Sequence, residues 1–182
     1  LERCDRLLVG GGMANTFFNA QGYPLGDSLV EAEALETAKG ILAKGGIRLR
    51  LPVDVVIADA FEAEADHKTM ATGPIPDGWR ILDIGPETVS LYARVIKGAK
   101  TVVWNGPMGV FEFPTFAKGT LGIAQAAAES DAVTIIGGGE SVAAVKGSGL
   151  AGEITHISTG GGASLEMLEG KLLPGVAALQ DK

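Results

Sequence analysis

One cysteine, Cys4, is all the thiol these 182 residues carry, so no internal disulfide can form. That excludes a disulfide-stapled scaffold and any metal site built on several cysteines, and it favours a reducing, cytoplasmic setting. Histidine is nearly as scarce: His67 and His156 stand alone, with no partner at ligand spacing. No Ser-His-Asp or Cys-His arrangement with a local signature occurs. Positive charge is short as well, 15 Lys and Arg against 22 Asp and Glu, a formal charge of −7. With no basic stripe, nucleic acid is not an expected partner. No apolar run approaches a membrane span and no signal-peptide pattern opens the chain, so no membrane partner is expected either. The Walker A pattern is absent. No glycine triplet completes Gly-x-Gly-x-x-Gly, because Asn15, Val142 and Leu165 stand where the last glycine belongs. An NAD-dependent oxidoreductase is thereby disfavoured.

Glycine, by contrast, is abundant, at 27 residues, and it recurs in one context. Residues 133–136 read as a short buried strand, which runs into Gly137-Gly138-Gly139 and then a helix opening on Glu140 and Ser141. Four apolar or β-branched residues in a row suit a central strand of a parallel sheet. The pattern repeats where residues 6–9 enter Gly10-Gly11-Gly12, and where residues 154–159 enter Gly160-Gly161-Gly162. A fourth strand, 101–104, ends in Asn105-Gly106-Pro107-Met108-Gly109. One such triplet is as readily a tight turn as a ligand cradle. Several at strand ends point to a shared site, because parallel strands deliver their ends to one rim. Helix N-termini there present free N–H groups to an anion such as a phosphate.

Between these strands lie helical patterns: a Ser28/Glu31 capping box before a helix with Leu35, Ala38, Ile41 and Leu42 inward, a helix from Gly85-Pro86, and one over 116–129. Residues 48–58 form a strand region broken by Pro52. Residues 59–84 change character, with Pro74, Pro76 and an Asp77-Gly78 turn, and read as an insertion of short antiparallel strands. Strand-helix alternation elsewhere means βαβ units. The fold class expected is α/β: a Rossmann-like parallel sheet with helices on both faces, in one domain over 1–182, plus the antiparallel insertion.

The candidate site residues each admit a plain reading. Glu140 and Ser141 could simply serve the helix dipole, or Glu140 could reach a Mg²⁺ that bridges phosphates. Asn105 could be a turn former. Glu112 could accept from ribose hydroxyls, with Pro107 and Val110 as an apolar wall against a base. Ser158 and Thr159 could cap the last helix or meet phosphate.

Four stretches carry a resemblance: Leu-Leu-Val-Gly-Gly-Gly-Met at 7–13, Thr-Val-Val-Trp-Asn-Gly-Pro-Met-Gly-Val-Phe-Glu at 101–112, residues 136–141, and Ser-Thr-Gly-Gly-Gly-Ala-Ser-Leu-Glu at 158–166. They closely resemble the C-terminal, nucleotide-binding half of the phosphoglycerate kinase family, as do 52–54, 82–86 and 168–176. The resemblance implies phosphoryl transfer between 1,3-bisphosphoglycerate and Mg-ADP, giving 3-phosphoglycerate and ATP in glycolysis. It implies that Gly138, Gly139, Glu140 and Ser141 meet the nucleotide phosphates and metal, with Gly138, Gly139 and Gly161 at the transferring group. It sets Glu112 on the ribose, Pro107 and Val110 by the nucleotide, Asn105 near the phosphates, and Gly10 and Gly11 on the adenine side. Glu140 stands where the family usually has Asp. The family also has, ahead of the position of Leu1, a strand–helix unit with two phosphate-binding lysines and an N-terminal half that holds the phosphoglycerate. On that reading the chain is a piece of a longer polypeptide, inactive alone and monomeric when whole. A non-catalytic nucleotide-binding module of the same fold is the alternative.

Overall fold

Short glycine-rich turns and a predominance of Ala, Val, Leu and Ile dictate how this chain layers its helices against strands. The computed structural model describes residues 1 and 3–179. In chain order, β1 (Leu7–Leu8) leads to α1 (Gly11–Ala20), α2 (Leu35–Gly45) and β2 (Leu49–Arg50). Then come β3 (Asp54–Ala58), β4 (His67–Ala71), β5 (Arg80–Ile84) and α3 (Pro86–Lys97). The second half alternates: β6 (Thr101–Asn105), α4 (Lys118–Ala128), β7 (Val133–Gly137), α5 (Gly139–Gly147), β8 (His156–Ile157), α6 (Gly161–Leu168) and α7 (Pro174–Ala177).

The parallel strands form two ladders flanked by helices, β1-β2 and β6-β7-β8. Central β7 is the Val-Thr-Ile-Ile stretch, whose Thr134 and Ile136 are buried, as its apolar run requires. The ladders are joined by α3, whose Tyr92 and Ile96 are buried in the core with Trp104, Ile123, Ile136 and Val145. Tyr92 also ties the first ladder, because its hydroxyl lies 2.7 Å from the Val9 carbonyl and 2.9 Å from that of Arg50. Burial pushes that phenol's pKa up, which keeps it a donor.

The third sheet is antiparallel, with β3 between β4 and β5. It therefore starts at Asp54, earlier than the 59–84 expected, and takes in the strand that Pro52 separates from β2. Both edges of β3 are paired, and four of its five residues are buried. Asp54, at its start, accepts from the α3 backbone at Glu87 (3.0 Å) and Thr88 (2.7 Å), so it caps that helix from a distance. Opposite Val56 and Ile57 the register of β5 slips by one residue, a bulge at Leu82.

The Ser28/Glu31 capping box is not formed. The Ser28 hydroxyl accepts from Ile81 N at 2.9 Å, and Glu31 N donates to Thr16 Oγ1 at 3.1 Å. Tertiary partners take both groups, and the helix begins instead with a 3-10 turn at Ala32–Ala34.

Candidate functional site

The C-terminal ends of β1, β6 and β7 and the turn after β8 come together on one rim. Asn105 and Gly137 are register partners, which sets the 106–110 loop beside the second triplet. The Asn105 side-chain amide sits against Gly138, close enough that a Cβ there would lie 3.1 Å from its Oδ1. Gly161 packs on the Gly138 backbone so tightly that any side chain on it would overlap Gly138 N. On the other side Gly11 N donates to the Met108 carbonyl at 3.1 Å, and a Cβ on Gly11 would lie 2.7 Å from the Pro107 carbonyl. Gly10 is pressed against the Met108 side chain. At Gly11 and Gly161 glycine is needed because backbone meets backbone there.

Gly138, at φ +83°, turns the chain from β7 into α5 in a conformation that only glycine adopts without strain. The first N–H groups of α5, at Gly139, Glu140 and Ser141, have no intrahelical acceptor and point out of the helix start. Glu140 is exposed on this first turn and lines the same trough as Gly10, Gly11, Asn105, Pro107, Val110 and Glu112. Its carboxylate fits a cation held largely by a nucleotide's phosphates, since Mg²⁺ needs only one or two carboxylates beside them. A protein-only metal cage is not there: no group of three or more His, Cys, Asp or Glu that could hold a metal occurs among the described residues.

Ser141 is fully buried, and its hydroxyl accepts from Gly106 N at 2.7 Å. A phosphate at the α5 start would thus meet Ser141 through its N–H, while the side chain holds the neighbouring loop. Ser158 Oγ accepts from Gly160 N at 3.3 Å and pairs with Ser164 Oγ at 2.9 Å, so it shapes the third triplet's turn.

The 106–110 loop is pinned along its length. Gly106 O accepts from Trp104 Nε1 at 2.7 Å, Met108 N donates to Thr120 Oγ1 at 3.0 Å, and Val110 N donates to Leu82 O at 2.8 Å. Beyond it, Phe113 stacks edge-on with Phe61 and Phe116, which leaves Glu112 exposed between anchored neighbours. Sequence reading missed Thr120, Leu82 and Asp83, which hold this loop from below. The glycines at 109 and 119 were the available signal, since both lack a side chain where Asp83 lies.

Comparisons with known proteins agree with this fold. The family model described as phosphoglycerate kinase matches residues 1–171. A phosphoglycerate kinase of Roseiflexus castenholzii is 62% identical over the whole chain, which covers 47% of that relative. A chloroplastic phosphoglycerate kinase of Volvox carteri is 56% identical, with 41% of its length covered. Among solved structures, phosphoglycerate kinase from Coxiella burnetii superposes with a TM-score of 0.92 at 44% identity, over 97% of this chain and 46% of that one. The corresponding enzyme from Pyrococcus horikoshii OT3 gives a TM-score of 0.85 at 37% identity. The chain thus spans about half the length of the curated relatives it matches. With its sequence matched throughout and its fold superposed on solved members, this chain belongs to the phosphoglycerate kinase family.

Proposed function

We propose that this chain is the nucleotide-binding half of a phosphoglycerate kinase and that it binds ADP or ATP with Mg²⁺ at the rim just described. In the whole protein the reaction would be reversible phosphoryl transfer: the bond from phosphorus to the acyl oxygen of 1,3-bisphosphoglycerate breaks, and one to a terminal oxygen of ADP forms. ATP and 3-phosphoglycerate result. The observation that carries the reading is the convergence of Asn105 and Gly161 on Gly138 at the start of α5, with Gly11 packed on the adjoining 106–110 loop.

The chemistry asks for positioning and charge stabilisation more than covalent participation. The α5 amides and helix dipole would hold phosphate oxygens, with Gly138, Gly139 and Gly161 leaving room for close approach. Glu140 would hold the Mg²⁺, which neutralises phosphate charge when bound. Glu112 would accept from the ribose, Pro107 and Val110 would face the nucleotide, and Gly10 and Gly11 the adenine. Phosphoglycerate would be held mainly by a second half of the whole protein, and closure of the two halves would exclude water. The 182-residue chain alone is expected to give no turnover. A reducing compartment suits exposed Cys4, and a chloroplastic relative extends the proposal beyond the cytoplasm.

Calorimetry with Mg-ADP against NAD, beside a coupled assay of the longer polypeptide, tests this. Mg-ADP binding and turnover by the whole protein are expected. Nucleotide binding with no turnover would favour a non-catalytic module, and preference for NAD would overturn the reading.

A further inference from the structure

Beneath the 106–110 loop lies a buried carboxylate that no step above uses. Asp83 is 2% exposed, and the charged group whose field reaches it is Lys118, on the first turn of α4. Its Oδ2 accepts from Gly119 N at 2.7 Å, and its Oδ1 accepts from Ile84 N at 2.9 Å. Gly109 and Gly119 press on it from opposite segments, so a Cβ on either would overlap the carboxylate. The β5 bulge lies at this point: Leu82 has no partner in β3, and its carbonyl instead takes Val110 N. Bulges beside functional sites commonly re-aim a side chain in this way. Val56, uncharged, is the register partner of Asp83 on β3. The loop brings Gly109 and Val110, also uncharged.

We propose that Asp83 is a positioning residue for nucleotide binding: ionised, it holds the α4 start through Gly119 N and fills the space beneath Gly109, so that the loop rests on it with Pro107, Val110 and Glu112 toward the nucleotide. This rests on the reading of the rim as a nucleotide site. The two donors facing Asp83 are both backbone N–H groups, so an ionised carboxylate satisfies both. A protonated carboxyl, or an asparagine, turns a donor onto one of them.

Desolvation raises the Asp83 pKa from 3.8 to about 7, against the lowering effects of the Gly119 and Ile84 amides and Lys118. A carboxyl whose folded pKa is raised binds more protons folded than unfolded, so its contribution to stability falls as pH rises from about 4 to about 7. Nucleotide binding should run the other way and strengthen as Asp83 ionises. Stability and affinity are therefore opposed across the same pH window.

The experiment is Asp83→Asn, with Gly109→Ala as a second variant, in the whole protein. KM for ADP, kcat and Tm are read one pH unit below and above the Asp83 transition. For Asp83→Asn the expected result is KM for ADP raised about tenfold above the transition, kcat within about twofold, and an undiminished Tm. The gap in KM between variant and wild type should narrow below it. Gly109→Ala should raise KM with the carboxylate still present. If Asp83→Asn binds Mg-ADP like wild type at both pH values, the proposal is overturned. It is overturned equally if KM rises while kcat and Tm fall together at both, the pattern of a purely structural residue. If wild type itself binds no Mg-ADP, the nucleotide reading falls, and this proposal with it.

Discussion

Ser141 shows how a residue at a helix start can serve the site without facing it. Its hydroxyl is enclosed and accepts from Gly106 N at the first residue of the loop. Truncation to alanine removes that acceptor from a half-buried amide, a loss of about 1–3 kcal/mol. Ser141→Ala should therefore lower the urea midpoint with unchanged slope and raise KM for ADP by letting the loop start drift. An unchanged midpoint with a raised KM would instead mean that the hydroxyl leaves Gly106 to touch the nucleotide. The sequence could not separate these roles, because Gly106 and Ser141 lie 35 positions apart and meet only through the β6-β7 register.

Elements were legible where the periodic signal was local. The β7 strand, the triplets and the helices after them follow from runs of apolar and small residues that need no distant partner. Capping was not legible, because it is decided across the fold. Ser28 has the right type and spacing for a cap, yet the Ile81 amide takes its hydroxyl. Asp54 lies 32 positions before Pro86, the first residue of α3, yet supplies that helix with its cap. Thr88 completes the arrangement by bonding back to Asp54 and to the Val53 and Asp54 amides. Replacing Asp54 with alanine leaves the Glu87 and Thr88 amides without acceptors and costs about 2 kcal/mol. Hydrogen exchange should then speed up at both amides, and α3 should fray from its start. Exchange at the wild-type rate would show that water or another carbonyl takes over the cap.

At the scale of the whole molecule, β1 and β6 each have one edge without a partner strand among the described residues, and both edges line the same trough. Leu7, Leu8 and Val9 lie on one side of it and Thr101, Val102 and Val103 on the other, with Val103 45% exposed. Soluble proteins seldom leave two apolar parallel edges open, since unpaired N–H and C=O rows recruit other chains. A further strand laid between them would join the two ladders into one sheet, and relatives twice as long have chain to supply it. The 182-residue chain on its own should therefore bind an apolar dye and self-associate, whereas the longer polypeptide should do neither. Light scattering and dye fluorescence on both proteins decide the matter. A dye-silent monomer of 182 residues that unfolds cooperatively would mean that the ladders close on each other, and the rim would then owe its shape to this chain alone.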